Sequence, residues 1–275
     1  MASPELAADY VSLFEDIRSE WISLPAPIGI QLTEMTRAEV SEVEAVAMMH
    51  GWVARIIRSG ESLLALSALG FVAELAPLRR SMLEHAISLR WVADQRGDAF
   101  QVLIRRHSQS MQRIQDAQEN GWEIEGEEAQ RLLQQAIDVE TDEETRTYDH
   151  LGAIAHQAEA YGLGDVYLAW LLETLSSHAS ITSAHPYYSF DSTSNTVQLH
   201  QTPRETGTEV EASVLIPVLL GLTAYNMILE GEPLNDRISS WTERFAALQE
   251  RLATEISDDV LRLRQGNMQP DVRGN

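Results

Sequence analysis

Residues 61–94 read ESLLALSALGFVAELAPLRRSMLEHAISLRWVAD, and this stretch decides the fold. Its apolar residues recur at helical period on almost every side. That is the pattern of a helix enclosed by others, not of one lying at a surface. Its second half nevertheless carries Arg79, Arg80, Glu84, His85 and Arg90. Charges in an apolar setting must find partners or face a cavity. The stretch is therefore expected to be the buried central helix of an all-α, multi-helix bundle, and the place where polar chemistry collects. Pro77 should kink it just before the arginine pair, because the ring displaces the carbonyl four residues back.

The flanking sequence supports a helical bundle. Residues 4–23 place Leu6, Tyr10, Leu13, Phe14, Ile17 and Trp21 on one face, with Ser3 as cap and Pro4 at the first position. LPAPIG (24–29) breaks this helix. Thr36 and Glu39 have capping-box spacing and open a helix expected to reach Arg58, with Gly60 as separator. Arg96 and Gly97 end the central helix, and Asp98 opens a polar amphipathic one. Further helices are expected at 127–139, from Thr141 to about Tyr161, and from Asp165 to about His178. YYSF (187–190) and TVQLH (196–200) flank DSTSN and predict one small β-hairpin near 187–200. Thr208 and Glu211 cap an apolar helix expected to run to Leu229, with Gly231 as its stop. A last amphipathic helix spans about 235–264, and residues 265–275 read as a disordered tail. With no repeat and no linker, residues 1–275 are expected to form one helical domain.

Composition removes several chemistries. The chain has 42 acidic residues against 20 basic ones, a net charge of −22. An extended nucleic-acid groove or an anionic lipid surface would call for the opposite balance. All 20 bases are arginine, and there is no lysine or cysteine. Schiff-base and P-loop lysines, thiol nucleophiles, cysteine-ligated metals and disulfides are thereby excluded. Glu-x-x-His, His-x-x-x-His and zincin patterns are absent, so neither a metal nor a cofactor is expected. The N-terminus lacks a signal-peptide pattern, and no apolar run is long enough to span a bilayer. A cytoplasmic location is expected.

Six residues are nominated for ligand binding: Arg79, Arg80, Glu84, His85, His178 and His185. Arg80 and Glu84 lie four apart and share a helical face, as a site pair or as a structural ion pair. His178 and His185 bracket a serine-rich segment with Ser176, Ser177, Ser180 and Ser183, as phosphate contacts, bases or helix caps. The apolar helix at 165–178 should pack on the central helix and bring His185 to Arg80 and Glu84 in one buried cluster. His50 and His107 read as singletons. The tryptophans read as core, with Trp122 the most exposed.

Arg80 to His85 also has Arg-x4-His spacing, which resembles the ribonuclease signature of HEPN domains. The resemblance implies histidine as acid/base and arginine as phosphate stabiliser. At about 100° per residue the two side chains diverge by roughly 140° on a regular helix. More broadly, residues 65–190 resemble an uncharacterised bacterial all-helical family of unknown function, through Arg80-x-x-x-Glu84 and the downstream serines with His185-Pro186. Some such families are distantly HEPN-like, which implies a nucleotide- or RNA-directed role by analogy.

Two functions follow as expectations. One is an internal polar pocket for a small anionic ligand, a nucleotide or RNA phosphate included. The other is a non-enzymatic interaction or regulatory protein of antitoxin-like kind, with a protein partner. The apolar stripes of the two terminal helices suggest packing on the bundle or on a second copy, and a homodimer is expected.

Overall fold

The computed structural model describes residues 3–24, 35–121, 126–138, 143–191, 193–204 and 210–266. Along the chain run α1 (Pro4–Ser23), α2 (Arg37–Ala68), α3 (Ala76–Gln95), α4 (Gly97–Glu119), α5 (Glu127–Ile137), α6 (Ile154–Ala160) and α7 (Gly164–Ser177). After these come α8 (Ile181–Ala184), the strands β1 (Tyr188–Asp191) and β2 (Thr196–Leu199), α9 (Val210–Asn226) and α10 (Asn235–Gly266). The fold is all-α, a helical bundle with one small antiparallel hairpin. No helix among the described residues is long and apolar enough to cross a membrane.

Local chemistry starts the helices where the sequence places it. The Ser3 hydroxyl accepts the Leu6 amide, and Pro4 opens α1. At α2 the Thr36 hydroxyl accepts the Glu39 amide while the Glu39 carboxylate accepts from the Thr36 amide. In the hairpin, Tyr188 lies opposite Leu199 and Asp191 opposite Thr196.

The stretch 61–94 is divided differently from its expected form. Helix α2 runs through Gly60 without a break. Gly60 is a point of close approach: a Cβ there would stand 2.7 Å from Phe14 Cε2 and 2.9 Å from Val214 Cγ1. The break comes at Leu69 to Val72, where Gly70 takes φ 86, and a 3-10 turn (Ala73–Leu75) leads into α3. Pro77 lies in the first turn of α3, where its missing N–H has no helical acceptor to lose. It starts a helix and does not kink one.

Helix α3 is the central element. It packs against α2, α4, α6, α7 and α9, and buries Met82, Ala86, Ile87, Leu89, Trp91 and Val92. Helix α9 is apolar on all sides and crosses α2 and α3 closely at Gly221, where a Cβ would meet Ile56 Cδ1 at 3.1 Å and Leu89 Cδ1 at 3.3 Å. It ends at Asn226, before Leu229. The Asn226 side chain accepts the Leu234 amide and donates to Asn235, which builds the turn into α10.

The terminal helices α1 and α10 pack on α9 and on each other. Arg244 pairs with Asp16 at 2.7 Å and Arg251 with Asp9 at 2.6 Å. Their apolar stripes are therefore covered within the chain. The helix expected from Thr141 to Tyr161 is instead a 3-10 segment (Glu143–Gly152) followed by α6. The bend brings the His150 and His156 rings to 6.0 Å. Thr141, Trp122, Thr208, residues 25–29 and residues 267–275 lie outside the described residues.

Candidate functional site

Helix α7 meets α3 with its polar side. Arg79 Nε donates to Glu173 Oε1 at 2.7 Å, and Arg80 Nε donates to Thr174 Oγ1 at 3.0 Å. The Arg80 guanidinium lies over the Trp170 ring, 5.1 Å from its centroid, a cation–π contact. Trp170 Nε1 donates to Glu84 Oε2 at 3.3 Å, and the same oxygen stands 3.7 Å from Arg80 Nη2. The Arg80–Glu84 pair therefore forms, with Trp170 and Thr174 as additional partners. It is half-exposed, at 30% and 43%, and is not buried. The buried cation is Arg79, paired with Glu173.

His185 does not join this cluster. It is exposed, and its ring packs edge-on against Tyr188 at 5.6 Å. The serines before it serve the backbone: Ser180 and Ser183 form a capping box that starts α8. His178 is exposed and caps α7. Arg80 and His85 diverge as helix geometry requires, Arg80 toward α7 and His85 toward Trp52 on α2.

Beside this seam is a pocket of about 500 Å³. One wall is α3, with Glu84, His85 and Ser88. Trp52 of α2 and Trp170 of α7 flank it. Helix α4 supplies Leu103, Arg106, His107 and Ser110, and the chain from Gly152 to Gln157 closes the remaining side. The volume falls in the range of small-molecule sites.

His85 is held on two sides. Its Nδ1 lies 2.6 Å from the Ser81 carbonyl, so Nδ1 carries the proton and Nε2 keeps its lone pair in the neutral ring. Its ring meets Trp52 edge-on at 5.5 Å. Burial pushes the imidazole below its ordinary 6.5, opposed by the Ser81 carbonyl and reinforced by the nearby Arg55 charge. His85 is thus a neutral acceptor near pH 7. Ser88 and Gln157 are already engaged: Ser88 Oγ donates to Gln157 Oε1 at 2.9 Å, and Gln157 Nε2 donates to the Leu151 carbonyl at 2.7 Å.

Arg106 differs from the other site arginines. Its guanidinium has no carboxylate or hydrogen-bond partner among the described residues, and it lies at the exposed mouth beside His107. Its side chain runs flat against Gly152. A Cβ there would meet Arg106 Cδ at 2.6 Å and Nη1 at 2.8 Å. Gly152 therefore makes the channel in which Arg106 rests. Among the described residues, no group of three histidine, aspartate or glutamate side chains is arranged to hold a metal ion.

A family model described as a family of unknown function (DUF5677) matches residues 46–195. The chain belongs to this family. Every residue lining the pocket lies inside the DUF5677 segment. No curated protein and no solved structure matches the chain.

Of the six nominated residues, Glu84 and His85 line the pocket, and Arg80 supports its Glu84 edge. Arg79 anchors α7 behind it. Arg106, His107, Trp52 and Trp170 were not singled out by sequence. The adjacent Arg105-Arg106-His107 triplet was the available signal, on a helix that reads as an ordinary solvated face.

Proposed function

We propose that the pocket binds a small organic anion bearing a flat ring, of mononucleotide size. Arg106 receives the anionic group and the Trp52–Trp170 pair contacts the ring. One observation carries this reading. In a chain with 42 acids and 20 bases, the Arg106 guanidinium has no ion-pair partner among the described residues and lies at the edge of a tryptophan-lined pocket. Arg18 is neutralised by Glu61 and Arg105 by Asp149, whereas Arg106, like the exposed Arg55, Arg96 and Arg113, has no such partner among the described residues; its place on the pocket sets it apart from those three. Free arginine donors match phosphate or carboxylate oxygens, and an aromatic lining favours flat rings. Trp170 already stacks on Tyr167 and carries Arg80 over its ring, so it offers the ligand ring an edge and Trp52 offers the second aromatic contact. Glu84 is occupied by Arg80 and Trp170, which reduces its opposition to an incoming anion. Neutral His85 supplies an acceptor that can orient the ligand or take a proton from it. The divergence of Arg80 and His85 gives no support to a HEPN-type pairing of those two residues.

Thermal-shift titration with inorganic phosphate and with adenosine monophosphate tests the proposal. Wild type should be stabilised, more by the nucleotide than by phosphate, while Arg106→Gln should not respond. A flat response of wild type to both probes overturns it.

A further inference from the structure

Helix α7 has inverted amphipathicity. The side facing α3 carries Trp170, Glu173 and Thr174, while Leu168, Leu171, Leu172 and Leu175 face outward at 38–58% exposure. Their spacing of i, i+3, i+4 and i+7 is that of a helix–helix seam. Among the described residues, no element covers this row. A contiguous apolar row on a monomer marks a contact surface.

We propose that this row is the interface of a homodimer in which α7 packs antiparallel on α7 of a second copy. Two observations select a second copy over another partner. The first is the symmetry of the row. Antiparallel pairing centred between Leu171 and Leu172 sets Leu168 opposite the partner's Leu175. The same register, continued one turn outward, sets Asp165 opposite the partner's His178. Both are exposed, and a carboxylate accepts from an imidazole N–H in either protonation state. A two-fold axis repeats this complementary pair at both ends.

The second observation is charge. Two copies at −22 each repel, so contact between them is least opposed through a face poor in acids whose few acids are matched. The outward row has none between Asp165 and His178, because Glu173 is turned inward to Arg79. At 14 residues α7 is about 21 Å long. A seam this short belongs with small, reversible interfaces and predicts micromolar association. The proposal is independent of what the pocket binds.

Sedimentation velocity on the full chain at tens of micromolar tests it. Wild type should sediment as a concentration-dependent dimer. The Leu171→Asp, Leu172→Asp double variant should be monomeric, with an unchanged circular dichroism spectrum because both leucines are exposed. His178→Asp should weaken the dimer by about tenfold by setting acid against acid, and adding Asp165→His should restore it. A monomeric wild type overturns the proposal. So does a dimer indifferent to the leucine changes, or one that His178→Asp leaves intact.

Discussion

Replacing Glu173 by alanine tests how α7 is held to the central helix. Arg79 is 9% exposed and Glu173 is 20% exposed, so the pair is largely withdrawn from water. The Arg79 Nη1 atom is already buried without a hydrogen-bond partner among the described residues. Removing the carboxylate leaves a buried guanidinium that cannot lose its proton. Breaking a buried pair from one side costs roughly 3–5 kcal/mol. Glu173 is partly open to water, which places the expected loss near the lower end, about 3 kcal/mol. For a chain of this length that corresponds to a fall in Tm of about 6 °C. Urea melts followed by circular dichroism should show a lower midpoint with an unchanged slope. Glu173→Gln keeps an acceptor but loses the charge and should cost about half as much. The double change Arg79→Met, Glu173→Leu removes both charges and should recover most of the loss. A single-variant loss under about 1 kcal/mol, or no recovery in the double variant, would refute the assignment of Arg79 as a buried cation dependent on Glu173.

Three further outcomes follow from individual sites. Gly152→Ala should displace only the flexible Arg106 side chain, so stability should stay within about 0.5 kcal/mol while nucleotide affinity drops about tenfold; calorimetric titration beside a thermal melt reads both. Burial lowers the His85 pKa, so between the folded value and 6.5 the unfolded chain binds more protons than the folded one. The contribution of His85 to stability is thus complete above 6.5 and declines as pH falls through the folded value, and His85→Gln should flatten the Tm–pH curve there. A parallel slope in both proteins would contradict the burial argument. Gly60→Ala forces a methyl group toward Phe14 and Val214 and should destabilise by about 1–3 kcal/mol in urea melts, despite the better helix former.

Features governed by neighbouring residues were legible in the sequence. The Ser3 cap, the Thr36–Glu39 box and the Asp191 side chain that accepts from Thr193 and Ser194 each supply local hydrogen bonds, and the helices and hairpin strands form there. The break at Leu69–Val72 was hidden because Gly70 lies between apolar residues that extend the helical period across it. Pro77 fits either a kink or a first turn, and only the preceding backbone decides between them. Arg80–Glu84 followed from spacing, but Trp170, Glu173 and Thr174 arrive from another helix and leave no local trace. His185 was expected beside Glu84 because it follows α7 in sequence, yet the Ser180–Ser183 cap opens a separate element and leaves it exposed. The apolar character of 165–178 placed this helix on the central one, where it packs, but its polar side with Glu173 and Thr174 turns inward while Leu171 and Leu175 face out. Periodicity made Arg106 and His107 look like solvated residues, since their role depends on Gly152 and Trp170 across the pocket.

The central claim is that Arg106 holds the anionic group of a ring-bearing ligand in the DUF5677 pocket. Calorimetric titration of adenosine monophosphate into wild type and Arg106→Gln in parallel tests it most directly. Saturable binding by wild type, weakened at least about tenfold in the variant while adenosine itself binds both proteins equally, is the predicted result. Equal nucleotide binding by the two proteins would contradict the claim.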